Sequence, residues 1–306
     1  MSSDPALSVV VALISGKTSD LERCLRALAR QTILPAEVIV PYDEPCAEAS
    51  TLTASFPATR LIRAEGLDTW QARSGFRREH HNVLRGIGLR AASGGIVALT
   101  EDHAIVADTW CEELLGSLKH QSSAAAVGGP VDCRSDRLLN WAVWFCDFGR
   151  YQSPMPEGRL TFMSDSNVAY RREALERVSA FSGDAYDEVM VHSGLSAKGM
   201  DLCAAPRAQV WQARTSLTWS GAARERFAWG RSFAGTRARS LPASRRAVLA
   251  VLWPLLPLLM TWRLVTLTAR RRRHLRQLAK TFPFVVVLNG IWALGEGVGY
   301  LTARPE

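Results

Sequence analysis

Leu7-Ser-Val-Val-Val-Ala-Leu-Ile14, then Ser19-Asp-Leu-Glu-Arg-Cys-Leu-Arg-Ala-Leu28, then Glu37-Val-Ile-Val40: the fold turns on these three runs. The first is short, β-branched and almost continuously apolar, as expected of a strand buried on both faces. In the second, Ser19 and Glu22 have capping-box spacing, and Leu21, Cys24, Leu25 and Leu28 recur on one helical face. The third is a second strand. Strand, helix, strand at this spacing implies parallel pairing through a right-handed crossover.

Reading outward, a third strand is predicted at Thr59 to Arg63, a helix at His81 to Ala92 that stops at Ser93-Gly94-Gly95, and a fourth strand at Ile96 to Thr100. This is the order of a nucleotide-binding type of α/β half-domain. The stretch Leu138 to Tyr151 is crowded with Trp141, Trp144, Phe145, Phe148 and Tyr151, read as core or as the wall of an acceptor groove. From Ser164 a polar turn leads into Asn167-Val-Ala-Tyr-Arg-Arg-Glu-Ala-Leu175, a strand end running into a helix. There is no internal repeat and no low-complexity segment.

A chain of 306 residues, 47% apolar, can bury a real core. Its net charge of +8 is concentrated late, at Arg237, Arg239, Arg245, Arg246, Arg270 to Arg273, Arg276 and Lys280. Placed beside apolar segments, that charge points to an anionic lipid surface and not to nucleic acid. Six scattered cysteines without metal-ligand spacing are read as reduced thiols of a cytosolic domain. No signal peptide precedes the first strand, so the N-terminal domain is expected to stay on the side where it is made. Ala247 to Trp262, extended by Arg263 to Leu267, and Phe282 to Leu301 each approach the ~20 residues that a bilayer needs. Pro254, Pro257 and Arg263 interrupt the first, and Glu296 and several glycines the second. Basic residues flank the first segment at both ends, which a re-entrant or in-plane hairpin accommodates more simply than two full spans. The competing reading is two buried helices of a soluble protein.

In open parallel sheets ligands sit beyond the carboxyl ends of the strands. Two acidic clusters fall there, Asp43-Glu44 and Glu101-Asp102-His103. A nucleoside diphosphate needs acidic acceptors for base or ribose donors, and a cation to offset its charge. Acidic residues are also ordinary turn residues.

Taken together, residues 7 to 235 resemble the family 2 inverting glycosyltransferases. The parts that carry the likeness are the opening strand, the helix ending in Gln31, Arg85-Gly-Ile-Gly-Leu-Arg-Ala-Ala-Ser-Gly94 in place of the family's R-N-x-G helix, Glu101-Asp102-His103 in place of its Asp-x-Asp motif, Gly128-Gly129-Pro130, and Asn167 to Leu175. The resemblance implies a GT-A fold: an α/β, Rossmann-like mixed sheet flanked by helices, here followed by C-terminal apolar membrane helices. It divides the chain into a catalytic domain at 1–235 and a basic, apolar, membrane-associated segment at 236–306.

It also implies roles. Asp43, Arg85, Glu101 and Asp102 would bind a nucleoside-diphosphate sugar, and Asp102 and His103 would hold a divalent cation, Mg2+ or Mn2+. Glu188, with Asp187 as fallback, stands where the family has its general base, with Leu195 and Gly199 at the expected distances downstream. The competing role for one of that pair is a favourable acid at a helix N-terminus. Arg224, Arg226, Trp229 and Arg231 look like the segment that closes the active site over diphosphate and acceptor; the alternative is an interfacial helix meeting lipid headgroups. The departures are Tyr42 for an acid, Gly86 for Asn, Glu101 and His103 for aspartates, and Gln212 for a metal-binding His. Without the Q-x-x-R-W signature of processive synthases, transfer of one sugar is expected, to a lipid-linked or membrane-proximal glycan acceptor. The implied protein is membrane-associated with a cytoplasmic catalytic domain, serving glycan or glycolipid biosynthesis. Two other classes stay open: a binding or scaffold protein on a degenerate transferase fold, and a nucleotidyltransferase, for which Ile14-Ser15-Gly16-Lys17 is only a fragment of a phosphate loop.

Overall fold

The computed structural model describes residues 5–15, 17–43, 49–52, 55–65, 78–178, 185–239 and 241–304. Gly16, Glu44 and Cys46 lie outside the described residues. The chain packs as two compact units, one drawn from within residues 1–70, 79–134 and 151–215, the other from within 71–78, 135–150 and 216–306.

The first unit opens with β1 (Leu7–Ala12), α1 (Thr18–Leu28) and β2 (Glu37–Tyr42), then α2 (Ala49–Leu52), β3 (Thr59–Arg63), α3 (Arg78–Ala91) and β4 (Ile96–Glu101). These four strands pair in parallel in the order β3-β2-β1-β4. The predicted capping box does not form. Ser19 is already inside α1, whose N-cap is Lys17 with no side-chain cap. The hydroxyl that takes an N–H at this entry is that of Ser15, bonded by Lys17 N at 3.1 Å.

After β5 (Ala104–Val106), α4 (Trp110–His120), β6 (Ala124–Gly128) and β7 (Val131–Cys133), the unit resumes with β8 (Val168–Arg171), α6 (Arg172–Glu176), α7 (Glu188–Ala197), β9 (Asp201–Ala204) and β10 (Val210–Gln212); α5 (Leu138–Asp147) belongs to the other unit. β8 enters beside β4 antiparallel, and the finished sheet reads β3-β2-β1-β4-β8-β6-β9. A small sheet, β5-β10-β7, stands beside it. Alternation along β1 splits the core: Val9 and Val11 pack with Leu21, Cys24, Leu25 and Leu28 of α1, while Val10 packs with Leu89 of α3 and with Val191 and Leu195 of α7.

Two close approaches fix where the connections run. A Cβ on Gly88 would lie 2.2 Å from Val10 Cγ1, so α3 presses directly on β1. A Cβ on Gly129 would lie 2.0 Å from the Ala208 carbonyl and 2.7 Å from Asn167 Nδ2. Asn167 is fully buried and uses its whole amide: Nδ2 donates to Pro130 O at 2.9 Å and Ala208 O at 2.7 Å, and Oδ1 accepts from Trp110 Nε1 at 2.8 Å.

In the second unit, α8 (Trp219–Ala238) precedes α9 (Ala243–Leu252), α10 (Leu256–Arg271) and α11 (Leu275–Thr302). Trp141, Trp144 and Phe145 of the aromatic run are core here. Trp141 and Trp144 are buried, at 4.9 and 5.4 Å from the His274 ring centroid, and a Cβ on Gly149 would meet Leu264 at 2.6 Å. α8 and α11 touch backbone to backbone: Cβ atoms on Gly230, Gly295 and Gly299 would come within 2.2, 2.2 and 2.5 Å of the carbonyl oxygens of Trp292, Phe227 and Arg231. The segments Ala243–Arg271 and Leu275–Thr302 are long and apolar enough to cross a membrane. Val251, Leu255, Leu258 and Trp262 of the first are exposed.

Candidate active site

The register of the sheet builds the site. Ala12 pairs with Glu101, so the chain leaving β1 runs alongside the chain leaving β4. Asp102 uses that proximity: its carboxylate accepts from Ile14 N at 3.1 Å and from Ser15 N at 3.1 and 3.2 Å, and also from the Ser15 hydroxyl. It is wholly buried and ties the two loops together.

Glu101 gathers three partners from distant parts of the chain. Its Oε1 accepts from Arg85 Nη2 on α3 at 2.8 Å, and its Oε2 from Gln212 Nε2 at the end of β10 at 2.9 Å. Gln212 reaches it because β10 pairs with β5 in a register that sets Gln212 opposite Ala104. A carboxylate only accepts hydrogen bonds, so the Gln212 amide must present its NH2. Oε2 also lies 3.2 Å from His103 Nε2, while the other ring nitrogen, Nδ1, is 3.1 Å from Asp102 Oδ1. Burial works to lower the pKa of His103, but the hydrogen bonds to Asp102 and Glu101, with their charges, outweigh it and raise it to about 9. His103 is therefore an imidazolium at neutral pH. Burial favours the neutral form of Glu101, yet His103 and Arg85 hold its carboxyl well below the usual carboxylate range.

The far side of the site comes from the antiparallel strand. Because β8 runs opposite to β4, the turn that starts it, Ser164 to Asn167, lies beyond the carboxyl end of β4. Asn167 N donates to Ser164 O at 3.0 Å to close the turn, and Asp165 is at its tip. Asp165 Oδ2 lies 3.0 Å from Arg85 Nη2, and Asp165 N donates to Glu188 Oε2 at 3.2 Å. The predicted pair thus separates by role: Asp187 is the N-cap of α7, taking Val189 N at 2.9 Å and Met190 N at 3.0 Å on its Oδ1, while Glu188 carries its carboxylate to the Asp165 turn. One turn further along α7, His192 Nε2 is 2.7 Å from the Tyr170 hydroxyl, itself 2.6 Å from that of Tyr186. Burial raises both tyrosine pKa values well above 10, so the hydroxyls stay protonated.

Arg85, Glu101, His103 and Asp102 are thereby joined directly, Asp165 connects Arg85 to Glu188, and Gln212 adds a bond to Glu101. Asp43 is buried where β2 ends. Arg224, Arg226, Trp229 and Arg231 all lie on α8, in the second unit. Arg226 is ion-paired there with Asp147, both almost buried, and its guanidinium stacks 4.4 Å from the Trp292 ring; Arg224 is exposed and bonds back to Ser220 O. Asp165 was not singled out by sequence reasoning. The nearest signal was the polar turn before Asn167.

A sequence model of the family described as glycosyltransferase like family 2 matches residues 5–232, three quarters of the chain. The protein belongs to that family. No curated protein matches it in sequence. Among solved structures, the glycosyltransferase is similar to the mannosyltransferase PcManGT from Pyrobaculum calidifontis in complex with GDP-Man and Mn2+, at 16% identity and TM-score 0.55, covering 96% of this chain and 88% of that one. It is also similar to GalNAc-T7 with UDP, GalNAc and Mn2+, at 15% identity and TM-score 0.50 over 69% of this chain; the match spans 43% of that longer protein. These likenesses establish the fold as GT-A.

Both neighbours hold Mn2+, and the ligand set here can be tested against such an ion. Among the described residues no three His, Cys, Asp or Glu groups converge to hold a metal. Both nitrogens of His103 face carboxylates and both oxygens of Asp102 accept hydrogen bonds. A histidine ligand must be neutral, whereas the flanking carboxylates favour the protonated form of this one. The Gln212 amide turns an N–H, not a lone pair, to the centre. As arranged, the residues do not fit a divalent cation.

Proposed function

We propose that this glycosyltransferase moves a single sugar, with inversion, from a nucleoside-diphosphate donor to a lipid-linked or membrane-proximal glycan acceptor, with Glu188 as general base. The observation that carries the reading is the division of labour in the acidic pair. The Asp187 carboxylate is committed to the cap of α7, and that of Glu188 is held at the Asp165 turn, in the same network as Arg85 and Glu101. Inverting transfer needs one carboxylate on the acceptor side to take the proton of the attacking hydroxyl while the diphosphate leaves opposite. Asp43, Arg85, Glu101 and Asp102 belong to the donor side.

We assign catalysis to 1–235 and membrane association to 236–306 as a division of function, since α5 of the first part packs against residues of the second. In support, the exposed apolar residues of α9 and α10 lie between Arg245-Arg246 and Arg270 to Arg273, a pattern that favours an anionic cytoplasmic leaflet. We assign Arg224, Trp229 and Arg231 of α8 to headgroups or to the donor diphosphate and acceptor, with Arg226 committed to Asp147.

The test is nucleoside diphosphate release by the purified full chain from a panel of UDP- and GDP-sugars, with total membrane lipid as acceptor. Glu188→Gln should bind UDP or GDP as the parent does and lose about 10²- to 10⁴-fold in transfer, while Asp187→Asn should keep most of it. Near-normal turnover with Gln at 188 would remove the base. Donor binding without turnover in the parent would favour a scaffold protein instead.

A further inference from the structure

We propose that Asp165 is a positioning residue: through the one guanidinium of Arg85 it locks the Glu188 carboxylate in place relative to the donor-side Glu101. The inference rests on the reading of Glu188 as base. It adds a residue that the family motifs do not name and a physical link between the two halves of the reaction.

The geometry is a short relay. Arg85 Nη2 lies 2.8 Å from Glu101 Oε1 and 3.0 Å from Asp165 Oδ2, so a single nitrogen serves a carboxylate on each side of the sheet's β4–β8 boundary. Arg85 is 4% exposed, and its charge is held by Asp165 and Glu101 against the cost of burial. The backbone N–H of the same Asp165 then donates to Glu188 Oε2 at 3.2 Å. The side chain of Asp165 thus fixes where its own amide points. The turn has a firm base, because Asn167 two residues on is bonded at both ends of its amide. Glu188 is on the first turn of α7, whose N-cap Asp187 settles the helix but leaves the Glu188 rotamer to be chosen by its contacts. Removing the Asp165 charge takes away one of the two carboxylates close to Arg85 Nη2 and leaves that of Glu101, with the 3.5 Å contact of Nη1 to Asn82 Oδ1. Arg85 stays with Glu101 on the donor side while the turn loses its tether, so the amide that aims Glu188 can drift. A base displaced by a fraction of an ångström slows proton transfer without weakening donor binding.

The experiment compares Asp165→Asn, Asp165→Glu and the double variant D165N/E188Q with E188Q and the parent, using the full chain and the same release of UDP or GDP. Asn keeps shape and the backbone N–H but not the charge; Glu keeps the charge for Arg85. We expect D165N to lower kcat about tenfold or more with donor KM within about twofold, D165E to retain most of kcat, and D165N to add nothing in the E188Q background. A fall in stability alone would not produce that split of kcat from KM, nor rescue by Glu. Unchanged kcat in D165N, a D165E enzyme as slow as D165N, or losses that multiply in the double variant would overturn the proposal. If D165N does not fold, D165E decides: kcat near the parent supports the tether, and a tenth of it or less refutes it. Failure here is separable from failure of the base, since an inactive E188Q beside a normal D165N removes only the tether, and an active E188Q removes the base itself.

Discussion

Asn167→Leu tests the scaffold of the site, and its cost can be worked from the hydrogen bonds. Leucine matches the size of asparagine and offers no polar atom, so three partners are affected. Pro130 O keeps the Val210 N bond at 3.1 Å and is not orphaned. Ala208 O and Trp110 Nε1, both inside the protein, lose the bonds of 2.7 and 2.8 Å that Asn167 supplies. Two buried groups left unmade at about 1–3 kcal/mol each give about 2–6 kcal/mol. For a unit of this size, about 2–4 °C of Tm per kcal/mol sets the loss at no less than about 4 °C. The assay is thermal unfolding followed by tryptophan fluorescence, in one detergent for parent and variant, with sugar-nucleotide turnover measured on the same samples. Gly129→Ala should behave alike, because its Cβ would invade the same amide and the Ala208 carbonyl. The two losses should fall short of additive when combined, since both act through one cluster. An Asn167→Leu protein melting within about 1 °C of the parent would refute the claim that this amide supports the turn carrying Asp165.

Two further outcomes follow. Titration calorimetry of the full chain with Mn2+ alone should show no binding heat, because every nitrogen of His103 and oxygen of Asp102 is engaged; saturable binding would show that the loop rearranges around a cation. Truncation after Arg246 should yield aggregating protein, as α5 would lose α10 and α11 and expose Trp141, Trp144 and Phe145, and the check is size-exclusion chromatography against the full chain.

The parallel half of the fold was legible because each strand buried on both faces is a short apolar run, and Leu7 to Ile14 and Ile96 to Thr100 read that way without ambiguity. Short-range signals also placed Thr59 to Arg63 and the Asn167 strand-to-helix step. Decisions made by tertiary contact were not legible. The Ser19 capping box lost to Ser15, because Asp102 anchors Ser15 from 87 residues away. Asp165 looked like turn filler, and only the antiparallel insertion of β8 brings it to Arg85. Arg226 had the chemistry of a diphosphate clamp, but no spacing rule could show Asp147 waiting for it. The acidic pair at 187 and 188 stands out in the sequence, yet its division into cap and carboxylate at the turn depends on where α7 begins.

The three glycine approaches between α8 and α11 bear on how far the C-terminal helix can be exchanged. What seats it is missing side chains: Gly295 and Gly299 let it lie against the carbonyls of Phe227 and Arg231, and Gly230 receives the carbonyl of Trp292. A generic anchor of equal hydropathy, rich in leucine, would partition into a bilayer as readily and still find no place on α8. The property that would deliver this helix to a membrane is therefore distinct from the property that docks it to its neighbour, and a chimera built to preserve the first would forfeit the second.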